Sequence, residues 1–410
     1  MKRYARDNSE PMLKPVKRIE LSEKNIKLRL ILTIVALVVA VAAIGFGVHS
    51  CLSADSGWTT IDATTGADNL SYEFKLVYNL GTGKTSATVE RKAVAAAYTT
   101  AAVEAYKLFD PYAPEGYLKQ INEHPGEEIE VPHELYSAFE KMLRHNRMLY
   151  MEPLNEMYEQ LFGQENDSYA ELADPDKSPY VKQIYEETVE FIQSDDNVRL
   201  ELLGSDSVKL TVSDAYKAFA QEHESECYIG FGWLKNAFAA DHIASRLTSA
   251  GYIRGYLTSV DGYSAYLDGD VNTYDVNLYS TTADGMSIVC TVGGVPAMFS
   301  ANLRRFPISH GFGGYVYEDG TVVMPYVDAS GAHKMCADVL YAYSEKSSCA
   351  ETALAAADIF LSDTVEKAGL LSAESGGIHI LYIGNGVIGF TDESVSVTNV
   401  HPDFKTELIK

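Results

Sequence analysis

"YIGFGWLKNAFAADHIASRLTSAGY", residues 228–252, divides the chain into two textures. It reads as a helix over residues 229–249, entered through glycines and carrying Asp241 on an Ala-rich face. Upstream, helical patterns dominate. "ERKAVAAAYTTAAVEAYKLF" runs into Asp110-Pro111, a helix stop, and apolar spacing predicts helices over 133–163 and 179–194. "VRLELLG" and "SVKLTV" read as two strands joined at Gly204-Ser205-Asp206. Downstream of Tyr252 strand follows strand, interrupted by one Ala-rich helix, "CAETALAAADIFLSDTVEKAGLL", and closed by a hairpin around the "GNG" of residues 384–386. Helices and antiparallel-looking strands without strict βαβ alternation place the domain in the α+β class.

The chain has 410 residues, 46% of them hydrophobic and 22% charged, enough for a sizeable core. Its formal net charge is −24. Residues 1–29 carry nine Lys/Arg against four Asp/Glu, so removing that +5 leaves −29 for the remainder. Such a surface repels nucleic acid and anionic headgroups, and no nucleic-acid partner is expected. Five cysteines (51, 227, 290, 336 and 349) are odd in number and widely spaced, pointing to neither a disulfide framework nor a zinc site.

The first seventy residues read as an anchor. "LILTIVALVVAVAAIGFGV", residues 30–48, contains no charge, and its nineteen residues at ~1.5 Å each reach about 28 Å, near the hydrocarbon thickness of a bilayer. The basic segment 1–29 before it predicts a cytoplasmic start. The expected organisation is a cytoplasmic segment 1–29, a transmembrane signal-anchor 30–50, a polar tether 51–70 and a globular domain 71–400. That places a single-pass protein in the cell membrane with its C-terminal domain outside the cytoplasm. Cys51, in "VHSC", raises lipid modification as an alternative anchor.

Several familiar chemistries are absent. "NLGTGKTSATVERK", residues 79–92, ends like a phosphate-binding loop at Gly83-Lys84-Thr85, but Tyr78 stands where the first glycine belongs and continues the strand "YEFKLVYNL". No H-E-x-x-H, G-x-S-x-G or C-x-x-C occurs. His133-Glu134 reads as the start of a helix.

The segment 228–252 resembles the core motif of the FAD:protein FMN transferases (ApbE-like proteins), I-D-L-G-G-I-A-K-G-Y-A-x-D, matching at Gly232, Phe238, Ala239 and Asp241. Asp261-Gly262 stands where that family has a G-G-D/N turn. "LFDPYAPEGYLKQIN" (108–122), ending at Asn122, is similar to its S-x-[FY]-x-P-x-S-x-[IL]-x-x-[IL]-N stretch. "FSAN" (299–302), with Ser300, replaces its T-S-G, "EDGTVVMPYVDASG" (318–331) resembles the approach to H-I-I-D-P-x-T-G, and "CAETALAAADIF" resembles its late helix. The landmarks cover roughly residues 72–395.

The resemblance implies an ApbE-like (T-fold-related) single domain of antiparallel sheets and packed helices. It implies a Mg2+-dependent reaction that moves FMN from FAD to a threonine of an extracytoplasmic flavoprotein acceptor. It assigns catalytic positions to Asp328 and Asn236, flavin-nucleotide contacts to Asp241, Gly232, Asp261, Gly262, Asn122 and Ser300, and a metal-ligand position to Thr352. The departures define a degenerate member. The motif lysine falls on Asn236, its neighbouring aspartate on Gly230, the histidine on Pro325, and the metal-holding aspartate and threonine on Thr352 and Ala356. A hard cation that dehydrates reluctantly needs a carboxylate within reach. The alternative is therefore an inactive relative that binds flavin or serves as a surface scaffold. "TGKTSAT" (82–88) also resembles a flavin acceptor site at Thr88.

Overall fold

The computed structural model describes residues 56–64, 70–225, 227–267, 273–282, 285–295, 299–307 and 313–410. The basic segment, the apolar stretch 30–50 and Cys51 lie outside the described residues. Among the described residues no helix is long and apolar enough to cross a membrane.

A nine-stranded sheet runs, edge to edge, through Gly57–Ile61, Phe74–Leu80, Gly255–Ser259, Tyr263–Tyr266, Phe299–Arg304, Val339–Ser344, His379–Gly384, Val387–Phe390 and Lys405–Leu408. Every pairing is antiparallel except the last, between Val387–Phe390 and Lys405–Leu408. Helices cover one face. Ala87–Phe109 and Lys235–Ser249 pack on each other, and Cys349–Phe360 packs on Lys235–Ser249 and on strands Phe299–Arg304 and Val339–Ser344.

The other face receives a three-stranded sheet of Ser396–Thr398, Gly285–Val295 and Tyr274–Thr282. Leu278, Val289 and Val292 of that sheet meet Val339, Tyr341, Tyr343 and Leu381. Strand Val339–Ser344 is consequently buried at all its positions, on both faces, and its near-continuous apolar run "VLYAYS" suits that place. A second small sheet joins Glu128–Glu130, Ser207–Val212 and Val198–Gly204, the last two linked by the expected turn.

Most sequence expectations hold within a residue or two. The final hairpin turns through Asn385 and Gly386 at φ 51° and 74°, between the paired Gly384 and Val387, the geometry of a two-residue primed turn. Five readings are corrected. The helix expected over 229–249 begins only at Lys235, because Ile229 pairs with Met151 and Gly232–Leu234 makes a 3-10 turn. The supposed tether 51–70 contains the edge strand Gly57–Ile61, paired along Phe74–Leu80, with only Ile61 buried and with Trp58 and Thr60 exposed. The domain runs past residue 400, since Lys405–Leu408 supplies the opposite edge. The stretch 133–163 is two helices, His133–Met142 and Glu152–Phe162. Between them Met151 bridges Ile229, a long-range pairing that an uninterrupted helix would forbid. The late helix ends at Phe360, where Ser362 Oγ donates to the carbonyls of Ile359 and Thr364, and a second helix starts at Lys367.

The loop at Gly81–Ser86 is a turn before helix Ala87–Phe109. The Glu90 carboxylate accepts the Gly81 amide at 2.7 Å, placing a negative charge where a phosphate loop would want none. Thr88 lies half-buried in the first turn of that helix.

Candidate functional site: an acidic cleft beside residues 228–236

Segment 228–232 is held from two sides. Asn122 Oδ1 accepts from the amides of Tyr228 (2.9 Å) and Ile229 (3.0 Å), while its Nδ2 donates to the carbonyls of Ile229 (2.8 Å) and Leu118 (3.0 Å). Opposite, the Glu152 amide donates to Tyr228 and the Gly230 amide to Tyr150. Asn122 thus uses its whole amide to fix the backbone. It lies in helix Tyr117–Glu123.

Beyond this anchor the chain makes one turn of 3-10 helix, Gly232–Leu234, and enters helix Lys235–Ser249. Its first two side chains tie the cleft together. Lys235 Nζ lies 3.0 Å from both Glu73 Oε1 and Asp110 Oδ2. Asn236 Nδ2 donates to Glu73 Oε2 at 2.8 Å and to Asp261 Oδ2 at 3.0 Å. Asp261 also accepts from Ser259 Oγ. Gly262, at φ 112°, turns the hairpin so closely that a Cβ there would stand 2.6 Å from the Asn302 carbonyl.

Around these residues lie two cavities of about 230 and 270 Å3, both lined by Asn155, Glu159, Gly232 and Lys235. The first adds Asp110, Tyr112 and Glu152; the second adds Glu73, Trp233, Asn236, Asp261, Pro325 and Tyr326. Together they reach the size range of small-molecule sites. Five acids thus face a single base, Lys235.

The electrostatics follow from burial and pairing. Burial works against the Lys235 ammonium, but the Glu73 and Asp110 carboxylates outweigh it and hold the lysine well above its ordinary value. Burial pushes Asp261 up to about 6, restrained by Ser259 and Asn236 and raised further by Glu73. Burial also pushes Glu152 up to about 8, with Glu159 adding to the rise. The Glu152 carboxyl rests on Gly230, where a Cβ would fall 1.9 Å from Oε2. The aspartate that the motif resemblance expects at 230 is thus replaced in space by a carboxyl from the neighbouring helix.

Of the residues expected from sequence, Gly232, Asn236 and Asp261 line this cleft, and Gly262 turns the hairpin against Asn302. Asp241, Asp328, Ser300 and Thr352 line neither cavity. Asp241 accepts the amides of Cys349 (2.7 Å) and Ala350 (3.0 Å), capping helix Cys349–Phe360, and burial pushes it up to about 6. Asp328 closes its own turn, accepting from Ser330 and Ala332 and pairing with Lys334 Nζ at 3.0 Å. Burial alone would raise it, but the Ser330 and Lys334 bonds hold it at about 2. Ser300 is buried in its strand, its carbonyl facing the Cys349 thiol. Phe231 belongs to the core with Phe109, Phe139 and Phe238, whereas Trp233 stands edge-on to Tyr326 at the cleft.

Sequence reasoning missed Lys235, Glu73, Asp110 and Glu152. Lys235 was legible as a lysine one residue before the motif position. Asp110 was read only as a helix stop.

Neither a family model nor a curated protein matches the sequence. Among solved structures, flavin transferase ApbE from Vibrio cholerae superimposes with a TM-score of 0.52 at 13% identity, covering 84% of this chain and 97% of that one. The fold resembles that of ApbE. The ApbE protein of Thermotoga maritima (TM-score 0.49, 14% identity, 80% and 93% covered) is similar, as is Pseudomonas stutzeri flavinyl transferase ApbE (0.44, 11%, 85% and 96%).

An ApbE-type Mg2+ finds no fitting donor set here. Thr352 is fully buried with its Oγ1 unpartnered. The nearby carboxylates are engaged: Asp241 by two amides, Glu351 by the Ser348 capping box and Lys141 at 3.2 Å, and Asp358 by His145 at 2.8 Å. Among the described residues no group of three His, Cys, Asp or Glu side chains could hold a metal ion. A pyrophosphate fits the acidic cleft no better, since the ammonium lining it is already neutralised by two carboxylates.

Proposed function

We propose that this domain is a relative of the ApbE flavin transferases that does not transfer FMN and uses its cleft to bind a small molecule. The observation that carries the reading is the committed state of Asp241, Glu351 and Asp358. Each of these carboxylates already has a structural partner. The decisive assay incubates the full-length chain with FAD, Mg2+ and a threonine acceptor peptide, and follows peptide mass. No peptide gains FMN above the rate without protein. FMN-labelled peptide accumulating with turnover would falsify the reading in favour of a working transferase acting on an extracytoplasmic flavoprotein. One feature favours that second reading, a lysine at the cleft one position from the motif lysine.

The reading includes a membrane tether through residues 30–50, supported by their length, lack of charge and basic flank. Protease added to intact cells should remove the domain while sparing the N-terminal segment. A domain that stays protected until the cells are lysed contradicts the outward orientation.

A further inference from the structure

We infer that the cleft binds a small organic cation, a primary ammonium or guanidinium carried on an aromatic or short apolar body. The inference rests on the reading above, that the cleft is not a site for FAD with Mg2+. Its first support is charge: with Glu73 and Asp110 paired to Lys235, the carboxyls of Glu159 and Asp261 line the two adjoining cavities with no further base among the lining residues.

The second support is independent of the acids. Asn236 is 2% exposed, lines the cavity, and has no partner for Oδ1. Its orientation is set, because Nδ2 donates to two carboxylates and a flipped amide would turn oxygen toward both. A buried acceptor left unpaired is destabilising, so the atom calls for an N–H donor.

A metal ion is the wrong cation. The acids are spread along both cavities, no three of them converge on one point, and Lys235 Nζ fills the space between Glu73 and Asp110. An organic cation needs no such convergence. It can set its N–H groups toward Asn236 Oδ1 and Asp261 while its body lies against Trp233 and Tyr326, whose faces also favour positive charge.

The test titrates the full-length chain calorimetrically with tyramine and agmatine, with tyrosol (hydroxyl in place of the ammonium), and with FAD plus Mg2+. At least one of the two cations should saturate, and tyrosol should bind at least about tenfold more weakly than tyramine if tyramine is the one that binds. Glu159→Gln, an exposed rim substitution that leaves the fold intact, should weaken the cation about two- to fivefold. Failure of both cations to saturate by about 10 mM, or tyrosol binding as well as tyramine, overturns the ligand class while FAD stays silent. Saturable, Mg2+-dependent FAD binding overturns instead the reading on which the inference rests.

Discussion

Replacing Lys235 with methionine should lower the unfolding free energy by about 3–5 kcal/mol at pH 7. The Lys235 ammonium is the shared partner of two carboxylates whose side chains are only 7% and 8% exposed, Glu73 and Asp110, while its own side chain is 20% exposed. Methionine keeps most of the stem volume and removes the charge, leaving both carboxylates facing each other without compensation. Asn236 still donates to Glu73, and the Tyr112 amide still donates to Asp110, but neither supplies a countercharge. The loss should shrink when Glu73→Gln is added, because one buried charge then disappears with its partner. Urea unfolding of the three proteins measures this. A K235M unfolding free energy within about 1 kcal/mol of wild type would show the triad to be solvated and the cleft more open than described.

Glu152→Gln should alter the pH dependence of stability rather than its value at a single pH. The folded Glu152 carboxyl keeps its proton up to about pH 8, against an ordinary value of 4.5. Its contribution is therefore complete below about pH 4.5 and is lost as pH rises through 8, when folding must hold an anion against Glu159 in a buried place. At a pKa unit per 1.36 kcal/mol, the loss amounts to a few kcal/mol, on the order of 3–5. Glutamine has nearly the same shape, fits over Gly230 and is neutral at every pH. E152Q should match wild type near pH 5 and exceed it near pH 9. Parallel stability curves for the two proteins would mean that Glu152 reaches solvent.

The legibility of this chain divides along physical lines. Elements whose own pattern determines them were readable: the Ala-rich helix before Asp110-Pro111, the Gly204–Asp206 turn, and the Asn385-Gly386 hairpin. Strand Gly57–Ile61 was not, because an edge strand buries little and this one lies within the small, polar stretch of residues 52–70. The break at residues 143–151 was hidden because it depends on the pairing of Met151 with Ile229, far along the chain.

The candidate site divides in the same way. Gly232, Asn236 and Asp261 came from order along the chain, and they meet in space. Asp241 and Asp328 carried the right residue type but serve a helix cap and a turn, roles that a single sequence does not separate from ligand contact. Glu152 could not be read as a counterpart of Gly230, since only the fold shows that a carboxyl from one helix fills the space that a side chain at 230 would need.

The central claim is that the cleft has exchanged a Mg2+-dependent nucleotide site for an acidic pocket with its own internal cation. It is tested most directly by the FAD affinity of the full-length chain at pH 7, measured by flavin fluorescence with and without Mg2+. FAD affinity should be weak and unchanged by Mg2+, within about twofold. A Mg2+-induced tightening of about tenfold or more would contradict the account, because it would require a carboxylate donor set that Asp241, Glu351 and Asp358 do not leave free.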